Sequence, residues 1–370
     1  MPRVTHVFKT YFPQTAGGLE EGIRQCATYA AARGFDVKVV CVGPADFTVT
    51  SQEGITTRFY KKTADVFSNP FSFSFARDFS AICRQTDLLH FHFPWPTAEI
   101  LALVQDLQKP ALVTFHCDIH KLMPVKKIYL PLIKRFLRKM DCICVTSWPL
   151  FNNTPYLAPF KNKTQQISLF MNEQRFAGPG PADPALVAFA EKRDFALFVG
   201  VLRWYKGLDI LLDAARTTAG DILIVGTGPL YEKLYARIKK ENLTNVYLLG
   251  FQSDTNLKWL IKNARMVVLP SITPAEAFGQ ILLEALYFQK PLVSTRLGTG
   301  TSVVNRHGYT GIVVAPGCSR SLALAMNTLF SDNSLATQFS QNARNHYNTH
   351  FTPQTQGDKY LTLYHSLLQL

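Results

Sequence analysis

The chain has 370 residues, 47% of them hydrophobic, which is more than one hydrophobic core usually accommodates, so two domains are predicted. The net charge of +13 indicates an anionic partner, and nucleic acid, a phosphorylated small molecule and an acidic membrane face all satisfy it. No window reaches the roughly 20 apolar residues of a transmembrane helix, the N-terminus lacks a signal-peptide pattern, and the seven cysteines contain no Cys-x-x-Cys pair. These features argue against a membrane-spanning or disulfide-bonded secreted protein and predict a cytoplasmic one.

Short strand-like runs alternate with amphipathic segments along the whole chain, which predicts parallel α/β sheets covered by helices. A Pro/Gly stretch, AGPGPADP, separates two series of such runs and suits a linker. We therefore predict an N-terminal domain over 1–172, a linker over 173–194 and a C-terminal domain over 195–352. Ligands of such sheets bind at the carboxyl ends of strands, so two facing domains should form a cleft lined by their loops. The predicted strands are VTHVF, DVKVVCV, DLLHFH, ALVTF and DCICVT, then DFALFVG, DILIVG, NVYLLG, RMVVLP and PLVST.

The first predicted strand is followed by a loop in which Gly17 and Gly18 precede a helix. Paired glycines let backbone N–H groups approach an anion closely, and the helix N-terminus adds a partial positive charge. An ordinary strand-to-helix turn explains the pair equally well, and the local residues do not decide between the two.

Two later strands end in histidines, with His90 and His92 on one and His116 after the next, followed by Asp118 and His120. Such spacings suggest a metal site, but no matched carboxylate set accompanies them and the chain has no Asp-x-Asp, so we predict no metal. His116 and Asp118 could instead form a polar pair at a reaction centre. His90, in the middle of its strand, suits a structural role.

Positions 120–140 carry seven basic residues and no acidic one. Apolar residues at spacings near three and four make the segment an amphipathic basic helix, which suits an anionic membrane surface, where each cation contributes about 1 kcal/mol. Nucleic acid would also attract it, although the glycine-aromatic signature of RNA-binding modules is missing, and a solvated helix face is the plain alternative. The candidate membrane residues are Lys126, Lys127, Lys134, Arg135, Arg138 and Lys139.

The second series opens with a strand followed by Arg203 and Lys206, just before a helix. Two cations there can hold a diphosphate and neutralise the charge that develops as it leaves, and a solvated loop is the alternative. The next strand is followed by Gly226 and Gly228, which resemble part of a dinucleotide-binding loop. The third glycine of that loop is missing, which disfavours a nicotinamide-dependent dehydrogenase.

Glu276 and Glu284, separated by seven residues, lie in the loop after the strand RMVVLP and about two turns into the following helix. Backbone amides of Phe278, Gly279 and Gln280 should sit at the helix N-terminus, where a phosphate or a sugar hydroxyl can bind. A carboxylate such as Glu284 in an apolar helix must be paired or accept hydrogen bonds, and ribose hydroxyls are suitable donors. A glycosidase would need acids on both sides of a sugar ring, which one loop-helix unit does not readily supply. Helix-dipole stabilisation explains Glu276 but not Glu284.

Together these residues resemble a retaining glycosyltransferase of the GT-B fold, two Rossmann-like domains facing across a cleft, in the large Glu-x7-Glu family 4. The order of YKG, VGTGPL, LPS and the two glutamates carries the resemblance. The segments YFPQTAGGLEE, HFHFPWP, LRWYKGL and STRLGTGTSVVN are similar to bacterial O-antigen mannosyl- and rhamnosyltransferases. The family's usual arginine position holds Val201 here, with Arg203 two residues later, and ISLFMNEQRF lacks the family's Gly-x-Asp.

The resemblance implies that the Gly17–Gly18 loop, Lys206 and an arginine contact the donor diphosphate, and that Glu276 holds the transferred sugar with the amides of residues 278–280. It further implies that Glu284 binds the ribose, that His116 lies close to the transferred sugar, and that the basic helix faces a membrane. The helix near 353–370 should pack back on the first domain.

We therefore predict transfer of a hexose, with mannose from GDP-mannose as first choice, to a polyprenyl-diphosphate-linked or other membrane-anchored saccharide in O-antigen or polysaccharide synthesis. We further predict that the anomeric configuration is retained by a front-face route, and that the reaction needs no cofactor and no metal. The protein is predicted to have no nucleic-acid partner and to lie peripherally on the inner face of the cytoplasmic membrane. The alternatives are a UDP-sugar-dependent glycosyltransferase using glucose or N-acetylglucosamine, a nucleotide-sugar epimerase or hydrolase, and a non-catalytic binding relative.

Overall fold

The computed structural model describes residues 1–15, 17–66, 69–119, 126–171, 173–178 and 180–370, without the side chains of 126–128. The chain forms two compact units. The first comprises Met1–Phe170 together with Pro353–Leu370, and the second comprises Met171–Thr352.

The first unit contains an eight-stranded sheet in the order β10-β9-β8-β7-β1-β2-β4-β3, in which every neighbouring pair is parallel except β3 with β4. The central strands β7 and β8 are buried along their whole length, as expected for strands covered on both faces. The strands are β1 (Arg3–Val7), β2 (Asp36–Gly43), β3 (Phe47–Thr50), β4 (Thr56–Lys61), the separate hairpin β5 (Ala64–Val66) and β6 (Asn69–Phe71), β7 (Leu88–Phe93), β8 (Ala111–Phe115), β9 (Cys142–Val145) and β10 (Thr164–Gln166).

Helices connect these strands and cover the sheet. Ser72 accepts a hydrogen bond from the backbone N–H of Phe75 and so caps one of them, which satisfies a helix-terminal donor. The helices are α1 (Gly18–Ala31), α2 (Phe73–Gln85), α3 (Pro96–Val104), α4 (Lys126–Lys139) and α5 (Trp148–Asn152), followed by a 3-10 segment at Pro155–Lys163.

The second unit contains a six-stranded, fully parallel sheet in the order β13-β12-β11-β14-β15-β16, the strand order of a Rossmann fold. The strand order reverses between the parallel neighbours β11 and β14, so the loops that follow these two strands lie side by side at the carboxyl edge of the sheet. The strands are β11 (Phe195–Val199), β12 (Asp221–Val225), β13 (Val246–Gly250), β14 (Met266–Leu269), β15 (Leu292–Thr295) and β16 (Gly311–Val314). The helices are α6 (Pro184–Ala190), α7 (Leu208–Ala215), α8 (Tyr231–Lys240), α9 (Asp254–Asn263), α10 (Gln280–Tyr287), α11 (Thr301–Val304), α12 (Ser319–Ser331) and α13 (Asn333–His350), with 3-10 segments at Glu173–Phe176 and Trp204–Lys206.

A last helix, α14 (Pro353–Leu368), belongs to the first unit. Tyr364 on this helix is fully buried, and its hydroxyl hydrogen-bonds His90 Nδ1 at 2.7 Å and Cys26 Sγ at 3.2 Å. The hydroxyl of Tyr360 lies 3.1 Å from Thr114 Oγ1. The core of the first unit is therefore completed by residues from the far end of the sequence.

The segment 173–194, predicted as a linker, is instead part of the second unit. It contains a 3-10 turn and α6, whose first turn is capped by the Asp183 side chain. Polar contacts fasten it to α9, because Arg175 pairs with Asp254 and the backbone N–H of Asp183 donates to Asn256 Oδ1 at 2.9 Å. Pro184 begins α6, and the described part of the segment is attached to the second unit.

Candidate active site

Lys206 and Glu276 form an ion pair in the second unit. They follow the neighbouring strands β11 and β14, and Lys206 Nζ lies 2.5 Å from Glu276 Oε2, which also accepts a hydrogen bond from Ser271 Oγ at 3.0 Å. The two side chains are only 12% and 9% exposed. The fold thus holds a cation and a carboxylate, 70 residues apart in sequence, at the carboxyl edge of the sheet.

Glycine 207 allows the loop after β11 to reach the loop after β14. Gly207 adopts a left-handed conformation with φ 71°, and a Cβ atom there would lie 2.0 Å from the carbonyl oxygen of Pro270. The backbone N–H of Ile272 donates to Tyr205 O at 2.8 Å, which joins the same two loops. Only glycine fits this contact, and the contact positions Lys206 against Glu276.

Gly226 and Gly228 pack the loop after β12 against the loop after β11. Their φ angles are 132° and 154°, and Cβ atoms would lie 2.1 Å from Gly200 O and 2.7 Å from Leu202 N. Backbone hydrogen bonds from Gly200 and Leu202 to the β12 end close the contact. Packing therefore explains both glycines, and their contact with a donor stays a prediction.

Arg203 differs from Lys206, although three residues separate them. Its side chain is exposed and forms no hydrogen bond or ion pair with any residue that the structure describes. The guanidinium is therefore available to an anion from solution, whereas the ammonium of Lys206 is already engaged by a carboxylate.

The N-terminus of α10 presents backbone donors. Gly279 caps the helix with φ 78°, and the N–H groups of Phe278 and Gly279 donate to none of the described residues. The loop before α10 packs against Gly300. The Gly300 N–H donates to Ala277 O at 2.8 Å, and a Cβ at Gly300 would lie 2.3 Å from the Phe278 ring. Gln280 is the first residue of the helix. The predicted set of amides is thus held at a helix N-terminus, where a hydroxyl or an anion can accept from it.

Glu284 is buried on α10 and paired with an arginine that the sequence analysis missed. Arg175 Nη1 lies 2.9 Å from Glu284 Oε1, and Arg175 Nε lies 2.8 Å from Asp254 Oδ1. The sequence predicts ribose hydroxyls as partners of this carboxylate. A buried acid on an apolar helix equally predicts a cation as its partner.

Gly17 and Gly18 begin α1 in the first unit, as predicted. Gly17 has extended backbone, and a Cβ there would lie 2.7 Å from Glu20 Oε2, whereas a Cβ on Gly18 would meet nothing within 4 Å. Glu20 is held by Thr10 Oγ1, which donates to its Oε1 at 2.8 Å. A carboxylate therefore shares this helix N-terminus, and a diphosphate bound there would have to displace it or lie on the side of Gly18.

His116 follows β8 directly and is buried. Its Nε2 lies 2.9 Å from His92 Nδ1, and His92 Nε2 lies 2.9 Å from His6 Nδ1. The pair predicted between His116 and Asp118 is not formed, because His116 Nε2 is bonded to His92 and its Nδ1 has no partner among the described residues. Asp118 Oδ1 accepts from the hydroxyl of Tyr156 at 2.5 Å. Burial lowers the pKa of His6 and of His116 to about 3, so both rings are neutral at pH 7.

His90 lies beside this chain but is satisfied separately. Its Nδ1 and Nε2 lie 2.7 Å from the hydroxyls of Tyr364 and Thr114, in keeping with the structural role expected for it. Nitrogen atoms of His6, His90 and His92 come within 4.8 Å of one another, which is close enough for a metal. The His90 and His92 rings are stacked at 4.3 Å, however, and stacked rings do not direct their in-plane lone pairs at one point. The arrangement suits hydrogen bonding. His120 lies outside the described residues.

The basic helix α4 turns its apolar side inward. Ile133, Phe136 and Leu137 are buried in the core of the first unit, while Arg135 and Arg138 are exposed. Lys134 is half-buried, Lys139 Nζ donates to Gln105 O at 2.5 Å, and the side chains of Lys126 and Lys127 lie outside the described residues. Among the described helices, none combines the length and apolar character needed to cross a bilayer. The apolar stripe predicted for a membrane is thus used by the core.

Two Rossmann-like units, the second with Glu276 after a strand and Glu284 on the following helix, are the architecture of a GT-B glycosyltransferase. The same fold occurs in the HepE protein of Anabaena, solved in complex with UDP and glucose, with a TM-score of 0.79 and 18% identity over 99% of this chain and 100% of that one. Residues 182–346 match the model of the glycosyl transferases group 1 family, and residues 16–152 match that of Glycosyltransferase Family 4.

Two relatives extend over nearly the whole chain. The D-rhamnosyltransferase WbpZ of Pseudomonas aeruginosa is 35% identical over 95% of this chain and 92% of its own length. The O-antigen chain mannosyltransferase C of Escherichia coli is 34% identical over 99% of both chains. The chain therefore belongs to glycosyltransferase family 4, and the membership predicted from the Glu-x7-Glu pattern is confirmed, as is the GT-B fold.

Proposed function

We propose that the protein transfers a hexose with the manno configuration, mannose from GDP-mannose in the first instance, to a lipid-linked saccharide of O-antigen or a related polysaccharide. The names of the two relatives support this, because one transfers mannose and the other D-rhamnose, which is 6-deoxymannose. The solved complex of HepE with UDP and glucose supports a nucleotide-sugar as the class of donor. The retained anomeric configuration belongs to the proposal as well.

The observation that carries the proposal is the buried pair of Lys206 and Glu276 beside the free amides of Phe278 and Gly279. A leaving diphosphate needs cations, which Lys206 and the exposed Arg203 supply without a metal. Sugar hydroxyls need acceptors and donors at fixed positions, which Glu276 and the amides supply. Glu284, held by Arg175, would receive the ribose hydroxyls. In a front-face reaction the departing phosphate accepts the proton of the acceptor hydroxyl, so no protein nucleophile is required.

The acceptor half of the proposal is supported by α4. Its exposed Arg135 and Arg138 offer positive charge to an anionic membrane surface, each cation contributing about 1 kcal/mol. Because the apolar side of α4 is packed inside the unit, this attachment is electrostatic and should weaken as salt shortens the range of the interaction. The protein would thus work at the inner membrane face as a peripheral enzyme.

A donor panel tests the proposal. Binding by calorimetry and slow donor hydrolysis are measured with GDP-mannose, UDP-glucose and UDP-N-acetylglucosamine, in EDTA and in magnesium. We expect GDP-mannose to bind and hydrolyse selectively in both buffers, and Glu276→Gln to lose hydrolysis while the exposed control Glu191→Gln retains it. A UDP-sugar preference would refute the mannose assignment, a magnesium requirement would refute metal independence, and no binding of any donor would refute the transferase proposal.

Vesicle sedimentation tests the membrane part. We expect binding to vesicles that contain anionic lipid, none to neutral vesicles, and loss of binding in Arg135→Glu/Arg138→Glu. The control Lys239→Glu/Lys240→Glu carries the same change in net charge on α8 of the second unit and should still bind. Equal loss in both double variants would show that only net charge matters and would overturn the assignment to α4.

A further inference from the structure

Three histidines form a hydrogen-bonded chain across three neighbouring strands of the first unit. His6 lies on β1, His92 on β7 and His116 directly after β8, and the sheet order places these strands side by side. The two N···N distances are both 2.9 Å, and each ring is at most 3% exposed. We call these residues the histidine chain.

Each end of the histidine chain has a ring nitrogen without a hydrogen-bond partner among the described residues. His6 Nε2 and His116 Nδ1 are buried nitrogen atoms without a hydrogen-bond partner among the described residues. His90 does not serve as a branch, because both of its ring nitrogens are engaged by Tyr364 and Thr114. The histidine chain is therefore linear, with two internal hydrogen bonds and, among the described residues, one unpartnered nitrogen atom at each end.

Counting protons links the tautomers of the three rings. Each neutral imidazole carries one N–H, and each of the two internal hydrogen bonds needs one proton between its nitrogen atoms. Only two arrangements satisfy both bonds: all three rings protonated at Nδ1, or all three at Nε2. In the first, His116 offers an N–H donor at its open end and His6 an acceptor. In the second, His116 offers an acceptor and His6 carries the unpartnered N–H.

The ring of His116 lies close to α1. A Cβ atom at Gly22 would lie 3.8 Å from His116 Cε1, the ring carbon between Nδ1 and Nε2, and 3.0 Å from Leu169 Cδ2. The glycine therefore leaves room for both side chains against this helix. The histidine chain thus ends beside the helix that begins with the Gly17–Gly18 loop.

We propose that His6 and His92 are positioning residues for His116, fixing its ring and setting whether its Nδ1 donates to or accepts from a sugar hydroxyl. This inference rests on the proposed function for the identity of the ligand. The linkage of the three tautomers does not rest on the proposed function, because it is a property of the protein without ligand. A hydroxyl that selects one state of His116 would select the same state at His6, on a strand two positions away in the sheet.

The first test reads the tautomers directly. Protein labelled with ¹⁵N-histidine is studied at pH 7.5 by long-range ¹H–¹⁵N correlation, which distinguishes protonation at Nδ1 from protonation at Nε2. We expect His6, His92 and His116 to report the same ring position. Different positions within the chain, or a charged ring, would overturn the inference. His6→Phe removes one of the two internal hydrogen bonds, and His92 and His116, which keep the other, should still report the same ring position as each other.

The second test separates positioning from folding. His92→Phe should lower kcat by about tenfold or more with little change in donor KM, while His92→Gln, which can still donate and accept, should recover part of the loss. An unchanged kcat in folded His92→Phe would overturn the positioning role. If no donor of the panel binds the wild type, the proposed function fails, and the shared tautomer in the free protein still decides the linkage.

Discussion

Removing the charge of Lys206 should destabilise the second unit far more than removing both members of its ion pair. In Lys206→Met, Glu276 is left 7% exposed with Ser271 as its remaining side-chain partner, and an uncompensated buried charge typically costs about 3–5 kcal/mol. In Lys206→Met/Glu276→Gln the charge is gone, and the free energy of unfolding should fall by only about 1 kcal/mol. The double variant should therefore be about 2–4 kcal/mol more stable than Lys206→Met.

The assay must report on each unit, since a chain of two units need not unfold in one step. Urea titrations read by hydrogen exchange of peptides from 171–352 give the free energy of the second unit alone. Lys239→Met, an exposed lysine on α8, is the matched control and should change stability by less than about 0.5 kcal/mol. The reasoning is refuted if Lys206→Met costs less than about 1 kcal/mol, or if the double variant is as unstable as the sum of the single ones.

The same double variant separates stability from turnover. It should be nearly as stable as the wild type yet should lose glycosyl transfer, because the proposed function assigns Lys206 to the leaving diphosphate and Glu276 to the sugar. A simple Lys206→Ala experiment confounds these effects, since the lysine both faces the proposed leaving group and neutralises a buried carboxylate. Transfer at the wild-type rate in the double variant would remove both residues from the proposed machinery.

Three further outcomes follow from the packing and the charges. Gly207→Ala should lower the free energy of unfolding of the second unit by about 3 kcal/mol or more. Gly317→Ala, with similar φ but open space around its Cβ position, should lower it by about 1 kcal/mol. Equal losses of stability in urea titrations would refute the steric argument. Arg175→Met should lower the stability of the second unit by about 3 kcal/mol by removing the ion-pair partner of Glu284, and Arg175→Met/Glu284→Gln should recover most of it in the same titration. His6 has its pKa lowered from 6.5 to about 3 in the folded state, so the unfolded chain binds more protons between these values and stability falls as pH falls through that window. His6 should account for about 2 kcal/mol of the free energy of unfolding that the first unit loses between pH 7 and pH 5. Equal stability of the first unit at the two pH values would contradict this prediction.

Apolar runs predicted the buried strands well and the edge strands poorly. All ten predicted runs overlap observed strands, and ALVTF coincides with β8 from end to end. β10, with the sequence TQQ, and β3, with FTVT, were missed because edge strands lack the continuous apolar run of strands covered on both faces. β16, with the sequence GIVV, is also an edge strand and was missed as well. Pairing with a neighbour, and not composition, makes these segments strands.

The candidate site was predictable in kind but not in its contacts. Placement after strands put Lys206 and Glu276 on one edge of a sheet, yet their pairing depends on β11 and β14 being neighbours. Arg175 was missed because it lies in a 3-10 turn inside what reads as a linker. The histidine chain was missed because its members are far apart in sequence and meet only through the order of β1, β7 and β8.

The last stretch of the chain completes the first unit, so the order of synthesis and the order of folding cannot coincide. When residues 1–170 have left the ribosome, His90 and Cys26 still lack the hydroxyl of Tyr364. The whole second unit is made before α14, and its synthesis takes roughly 10–40 s at typical translation rates. During that time the first unit presents an apolar face to chaperones and proteases. A stop codon late in the gene would therefore damage the unit encoded at its beginning.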